Sequence, residues 1–149
     1  MLLNKNVKNI EFQISEIDIL IKQYKELIEI TKEPNLIEIT ALAGVLHSFY
    51  NGIESILKFV YKNQSKELPS GDNWHKQLID QLFDLKENEK LIFPLSLKDT
   101  IDNYRNFRHF YRHSYTFHLE WKEMDYLVTG LLSNWKTIKT YLKKYLNEL

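Results

Sequence analysis

The sequence has no cysteine, and its 149 residues include only four glycines and three prolines. Without cysteine there is no disulfide framework, no thiolate metal site and no cysteine nucleophile. So few glycines and prolines cannot supply the many tight turns of a sandwich or barrel. Charge of either sign is not in excess: 20 basic residues balance 20 acidic ones, which argues against a protein that coats nucleic acid by bulk charge. No apolar run approaches a membrane span, and the opening MLLNKNVKNIEF lacks the apolar centre of a signal peptide. A cytoplasmic location without a membrane partner is therefore expected. Apolar residues make up 44% of the chain, enough for one solid core. The expected fold is all-α, a single domain over residues 1–149, built as an antiparallel bundle of four to five helices.

The periodicity fills in that bundle. Val7, Ile10, Ile14, Ile17, Ile21, Tyr24 and Ile28 recur at spacings of three and four, which predicts one helix from about residue 4 to 31. Pro34 fits the first turn of a second helix. That helix carries two apolar stripes, one from Leu36 through Leu46 and Ile53 to Val60, the other from Leu42 through Phe49 to Phe59. A helix apolar on two sides belongs at the centre of a bundle. Its small residues Ala41, Ala43, Gly44 and Gly52 would let a neighbour approach closely. Residues 64–72 read as a loop, 73–85 as a short helix and the charged run 86–90 as another loop. Ser96 with Asp99 resembles a helix N-terminus, opening a fourth helix from about Leu97 to Tyr111 or beyond. The last helix runs from about Trp121 along Met124, Val128, Leu131, Trp135, Ile138, Leu142 and Tyr145. Helices broken by turns, several with more than one apolar stripe, fit a bundle and not an extended coiled coil.

Arginine is the most informative residue. There are 17 lysines and only three arginines, Arg105, Arg108 and Arg112, all within eight positions. Lysine suffices for a solvated surface, whereas arginine offers a planar, permanently charged fork suited to phosphate or carboxylate. Between Asn103 and Leu119 stand three arginines, three histidines and no acid. On a helical wheel Leu97, Ile101, Tyr104, Phe107 and Tyr111 share one arc. Arg105, Asn106, Arg108, His109, Arg112 and His113 take the other side. A metal site is disfavoured: His109 and His113 have the right i, i+4 spacing, but guanidinium groups flank them and no carboxylate lies between. Phosphate chemistry suits the residues better. Arginine stabilises charge on a phosphate, and histidine moves protons near neutral pH. Together they suffice for metal-free RNA cleavage, in which the ribose 2′-oxygen attacks the adjacent phosphate to leave a cyclic phosphate and a 5′-hydroxyl. No cofactor is needed.

The run Arg108-His109-Phe110-Tyr111-Arg112-His113-Ser114-Tyr115 has the pattern R-x-x-x-x-H-x-Y, which resembles the HEPN superfamily and, within it, the HepT-type toxins. The longer stretch FRHFYRHSY followed by LEW, and FYNGIESILK at residues 49–58, strengthen the resemblance. It extends from about Leu36 to Trp135. It implies a helical homodimer with the site in a cleft between the fourth helices of two protomers. It also implies ribonuclease activity as the toxin of a toxin–antitoxin pair, and an MNT-type nucleotidyltransferase antitoxin that AMPylates the motif tyrosine, here Tyr115.

Residue roles follow. Arg108 and His113 are the expected catalytic pair. His109, Arg105, Arg112 and Tyr115 are expected to support the site or hold RNA, and AMP on Tyr115 would block a cationic cleft with bulk and negative charge. Arg108 and His113 lie about 140° apart on a straight helix, so either the helix ends near Arg112 or two protomers combine their groups. Glu54 is read either as an arginine partner or as a surface carboxylate. His47 and His75 read as ordinary helix histidines. Trp74, Trp121, Trp135, Tyr104, Phe107 and Phe110 read as core. The alternative function is a non-catalytic helical module that binds a nucleotidyltransferase or its nucleotide.

Overall fold

A computed structural model describes residues 2–64, 67–84, 91–115 and 118–149. The charged run 86–90, expected to be a loop, lies outside them. Among the described residues all regular structure is helical: α1 (Leu2–Gln23), α2 (Lys25–Ile28), α3 (Leu36–Asn63), α4 (Trp74–Leu82), α5 (Ser96–Arg112), α6 (Trp121–Thr129) and α7 (Leu131–Asn147). The all-α expectation holds. Two of the expected helices are interrupted, giving seven segments among the described residues where four to five helices were expected.

The first interruption falls at Tyr24, which sits on the predicted seam but is 40% exposed. There the helix gives way to the single turn of α2, which returns Ile28 to the core. The second falls at Gly130. A Cβ at that position would lie 3.0 Å from Asn134 Nδ2 and 3.1 Å from the Tyr126 carbonyl. The glycine thus makes room for Asn134, whose amide donates to the Tyr104 hydroxyl at 3.0 Å. That hydroxyl in turn donates to the Leu127 carbonyl at 2.8 Å, so one buried phenol ties α5 to α6 and α7. Burial pushes the Tyr104 phenol up to about 12, which keeps it a donor.

The start of α3 also differs from expectation. Pro34 lies outside the helix, and Asn35 is the N-cap. Glu38 N–H donates to Asn35 Oδ1, and Asn35 N–H donates to Glu38 Oε1, both at 2.9 Å, forming a capping box. Leu36 stands 60% exposed, off the seam assigned to it. Ser96 does not cap α5: it is the first helical residue, and Leu95 at the N-cap position makes no side-chain bond.

Helix α3 is central, in contact with α1, α4, α5 and α6. Leu42, Leu46, Phe49, Ile53, Leu57 and Val60, from both stripes, are buried. By length and composition it is long and apolar enough to cross a membrane, contrary to the expectation that no segment comes near that length. Its apolar side chains instead pack the protein core. Of its small residues, Gly52 does serve close approach: a Cβ there would lie 2.7 and 2.8 Å from Ile17 of α1, while Gly44 has open space. Trp135 and Lys139 of α7 both donate to Asp18 of α1, at 2.8 and 2.9 Å, closing the bundle on its other side.

Candidate active site

Helix α5 presents the residues singled out by the sequence. Its apolar arc, Leu97, Ile101, Tyr104 and Phe107, is buried. The helix ends at Arg112, as one of the two alternatives required, although within one protomer this does not bring Arg108 and His113 together. His113 is the C-cap, with φ −113° and ψ 10°, and its N–H donates to the Phe110 carbonyl at 3.1 Å. His109 and Arg112 occupy the last turn, where the helix dipole favours positive charge.

The three arginines have three different environments. Arg105 Nε donates to Asp102 Oδ1 at 3.2 Å, and its Nη2 donates to Asn106. Asp102 also takes Lys98, which reaches Asp80 at 2.9 Å. The stretch without acids is therefore not without a counter-charge at Arg105, because Asp102, just outside it and one turn earlier, pairs with that arginine. Arg112 is exposed, and among the described residues no hydrogen bond or ion pair holds it. Arg108 is half-buried and turns toward α3, where Nε donates to Asn51 Oδ1 at 2.7 Å.

Asn51 in turn faces His47, one turn earlier on α3, with 3.1 Å between Asn51 Nδ2 and His47 Nε2. The His47 ring packs on Tyr111, centroids 4.8 Å apart. Burial, and then the charges of Arg108 and Arg112, push the His47 imidazole below its ordinary 6.5. The sequence reads His47 as an ordinary helix histidine and assigns Asn51 no role, whereas the structure places both beside Arg108. A signal was present: His47, Asn51 and Glu54 are spaced four and three along a largely apolar helix, a polar stripe that mirrors the spacing of the arginines.

Glu54 is not a surface carboxylate, and among the described residues its partner is a histidine and not an arginine. It is 5% exposed, and His75 of α4 meets its Oε2 through Nδ1 at 2.5 Å. His75 is stacked between this contact and the Trp74 ring. Tyr50 is buried beside them, and its phenol is raised far above its ordinary value by burial and by Glu54.

The imidazoles lie at the open end. His109 and His113 are exposed, with ring centroids 4.7 Å apart. Among the described residues no group of three histidines or acids could hold a metal there. Tyr115 is 73% exposed, and its ring meets His118 edge-on at 6.4 Å. The structure thus joins His109 to His113 and Arg108 to α3, but no direct contact joins Arg108 to His113. Phe110, expected in the core, is 40% exposed. It lines a groove of about 620 Å³ between α5 and α6, bordered by Asn103, Glu123 and Tyr126.

The arrangement can do two things at once: hold an anion with a fixed guanidinium, and move protons with imidazoles open to solvent. No curated protein and no solved structure matches the chain. The family profile of HepT-like proteins matches residues 41–149, which takes in both polar stripes and every residue of the site. With that match over most of its length, the chain belongs to the HepT-like family of the HEPN superfamily.

Proposed function

We propose that this protein is a metal-independent endoribonuclease acting in the cytoplasm as the toxin of a toxin–antitoxin pair. The observation that carries the reading is the end of α5, where an anchored arginine, an open arginine and two exposed imidazoles stand within six residues. In a homodimer the two α5 ends would face one another across the RNA. One imidazole, His113 of one protomer, takes the proton of the ribose 2′-hydroxyl. The 2′-oxygen attacks phosphorus, and charge builds on the non-bridging oxygens beside Arg108. A second imidazole, His109 or the other protomer's His113, protonates the departing 5′-oxygen. The products are a 2′,3′-cyclic phosphate and a 5′-hydroxyl. Arg105 and Arg112 track flanking phosphates.

The antitoxin in this reading is an MNT-type nucleotidyltransferase that transfers AMP to Tyr115. The exposure of that hydroxyl-bearing ring supports its access to an enzyme. The added phosphate would sit among the cations and exclude RNA.

The test is cleavage of total cellular RNA in EDTA by the wild type and by His113→Ala. Loss of a proton-transfer group should slow cleavage on the order of 10²- to 10⁴-fold. Cleavage by the wild type with cyclic-phosphate ends, lost in the variant, is the expected result. No cleavage by a wild type free of AMP would sink the enzyme reading and leave the non-catalytic binding module.

A further inference from the structure

We propose that Asn51, oriented by His47, is a positioning residue that fixes the Arg108 guanidinium without neutralising it. The inference rests on the reading of Arg108 as the phosphate-binding group.

The argument starts from donors and acceptors. Arg108 Nε–H can only donate, so the Asn51 atom facing it at 2.7 Å must be the carbonyl oxygen. The amide nitrogen then faces His47 at 3.1 Å, and because it can only donate, His47 Nε2 must be unprotonated. The histidine is therefore the neutral Nδ1–H tautomer. Its depressed pKa agrees, since burial and the charges of Arg108 and Arg112 disfavour a second proton. Each bond fixes the direction of the next, from imidazole to amide to guanidinium.

The consequence for Arg108 is specific. Its described hydrogen bond engages Nε alone, so both terminal nitrogens remain available to fork a phosphate. An arginine side chain has much rotamer freedom, and the contact restricts it before substrate arrives. A carboxylate would anchor it more strongly but cancel the charge that a phosphorane needs. Arg105, held by Asp102, shows that alternative, and Arg112, held by nothing among the described residues, shows the opposite one. Among the described residues Arg108 is the one of the three held by a neutral partner, so no carboxylate offsets its charge.

The sequence makes the test clean, because three arginines give three Nε–Hε signals in a proton–nitrogen spectrum. In the wild type one of them, assigned by Arg108→Lys, should exchange slowly with water. Asn51→Ala, which favours the helix, should abolish that protection. It should also lower kcat for RNA cleavage on the order of ten- to a hundredfold, with KM changed far less. Asn51→Asp should restore the protected signal but not the rate, because it anchors and neutralises together. An unaltered Arg108 signal in Asn51→Ala would overturn the proposal, as would a wild-type rate in that variant. So would full recovery of rate in Asn51→Asp. If the wild type cuts no RNA, the ribonuclease reading fails by itself. The positioning claim is then decided by the Arg108 Nε–Hε signal alone: it stands if Asn51→Ala removes the slow exchange and Asn51→Asp restores it, and falls if the Asn51→Ala signal stays protected.

Discussion

Two glycines on α3 make a controlled experiment. At Gly44 a Cβ would meet nothing within 4 Å, so Gly44→Ala gains only helix propensity, about 1 kcal/mol. At Gly52 the same gain is opposed by Ile17, whose Cγ1 and Cδ1 lie 2.7 and 2.8 Å from the new carbon. Ile17 is 2% exposed, and a β-branched chain on a helix has essentially one χ1 rotamer, so it cannot swing away. Overpacking of this kind costs about 1–3 kcal/mol. Taking about 2, Gly52→Ala should be less stable than wild type by about 1 kcal/mol, and the two variants should differ by about 2. Urea unfolding followed by circular dichroism reads this directly. With a slope of about 2 kcal/mol per molar, the midpoints should separate by about 1 M, one above wild type and one below. In an Ile17→Ala background the obstacle is gone, and Gly52→Ala should become stabilising relative to that background, a coupling of about 2 kcal/mol. Equal upward shifts for both glycine variants in the wild-type background would refute the close-approach argument.

His75→Ala should leave the buried Glu54 carboxylate without its partner and cost about 1–3 kcal/mol in urea unfolding, and an unchanged midpoint would contradict the pairing. Burial would raise the Asp18 carboxyl, but the Trp135 indole N–H and the Lys139 ammonium outweigh it and hold its pKa below 3.8. Its contribution is therefore present above pH 3.8 and lost as pH falls through the lower folded value, so wild type should lose its advantage over Asp18→Asn in that acid window. Parallel pH profiles of the unfolding midpoint would count against this. Arg105→Ala, whose charge Asp102 already offsets, should reduce RNA cleavage far less than Arg108→Ala, and equal losses would remove the distinction drawn between them.

Much of this could be read from the chain because helix seams announce themselves at a period of 3.6. The two buried stripes of α3 and the apolar arc of α5 are where that period placed them. The interruptions at Tyr24 and Gly130 were not legible, because the apolar spacing runs through both without a break. At Gly130 the cause is a side-chain hydrogen bond between distant residues, Asn134 to Tyr104. The arginine cluster stood out by composition, but composition could not distinguish its members. Their differences come from Asp102 one turn back and from Asn51, 57 positions away on another helix. Glu54 was misplaced for the same reason: its partner is 21 residues on, across a turn.

The bonds at Tyr104 and Arg108 have a mechanical meaning. A side-chain tip stands about 5–6 Å from its helix axis, so turning α5 by about 20° would sweep it by roughly 2 Å. That movement would part both hydrogen bonds at the Tyr104 hydroxyl, and equally the Arg108 bond to Asn51. The two residues are one turn apart and grip different neighbours, α6 and α7 on one flank and α3 on the other. Together they act as angular stops that index the helix about its own axis. Beyond Arg108 no side-chain hydrogen bond among the described residues ties α5 to another helix; the Tyr111 ring still rests on His47, and the final turn carries His109, with His113 at its cap. Restraint is thus unevenly distributed along α5: the guanidinium is hydrogen-bonded to the frame, while the imidazoles sit on a last turn that a ring contact alone, not a hydrogen bond, ties to a neighbouring helix among the described residues.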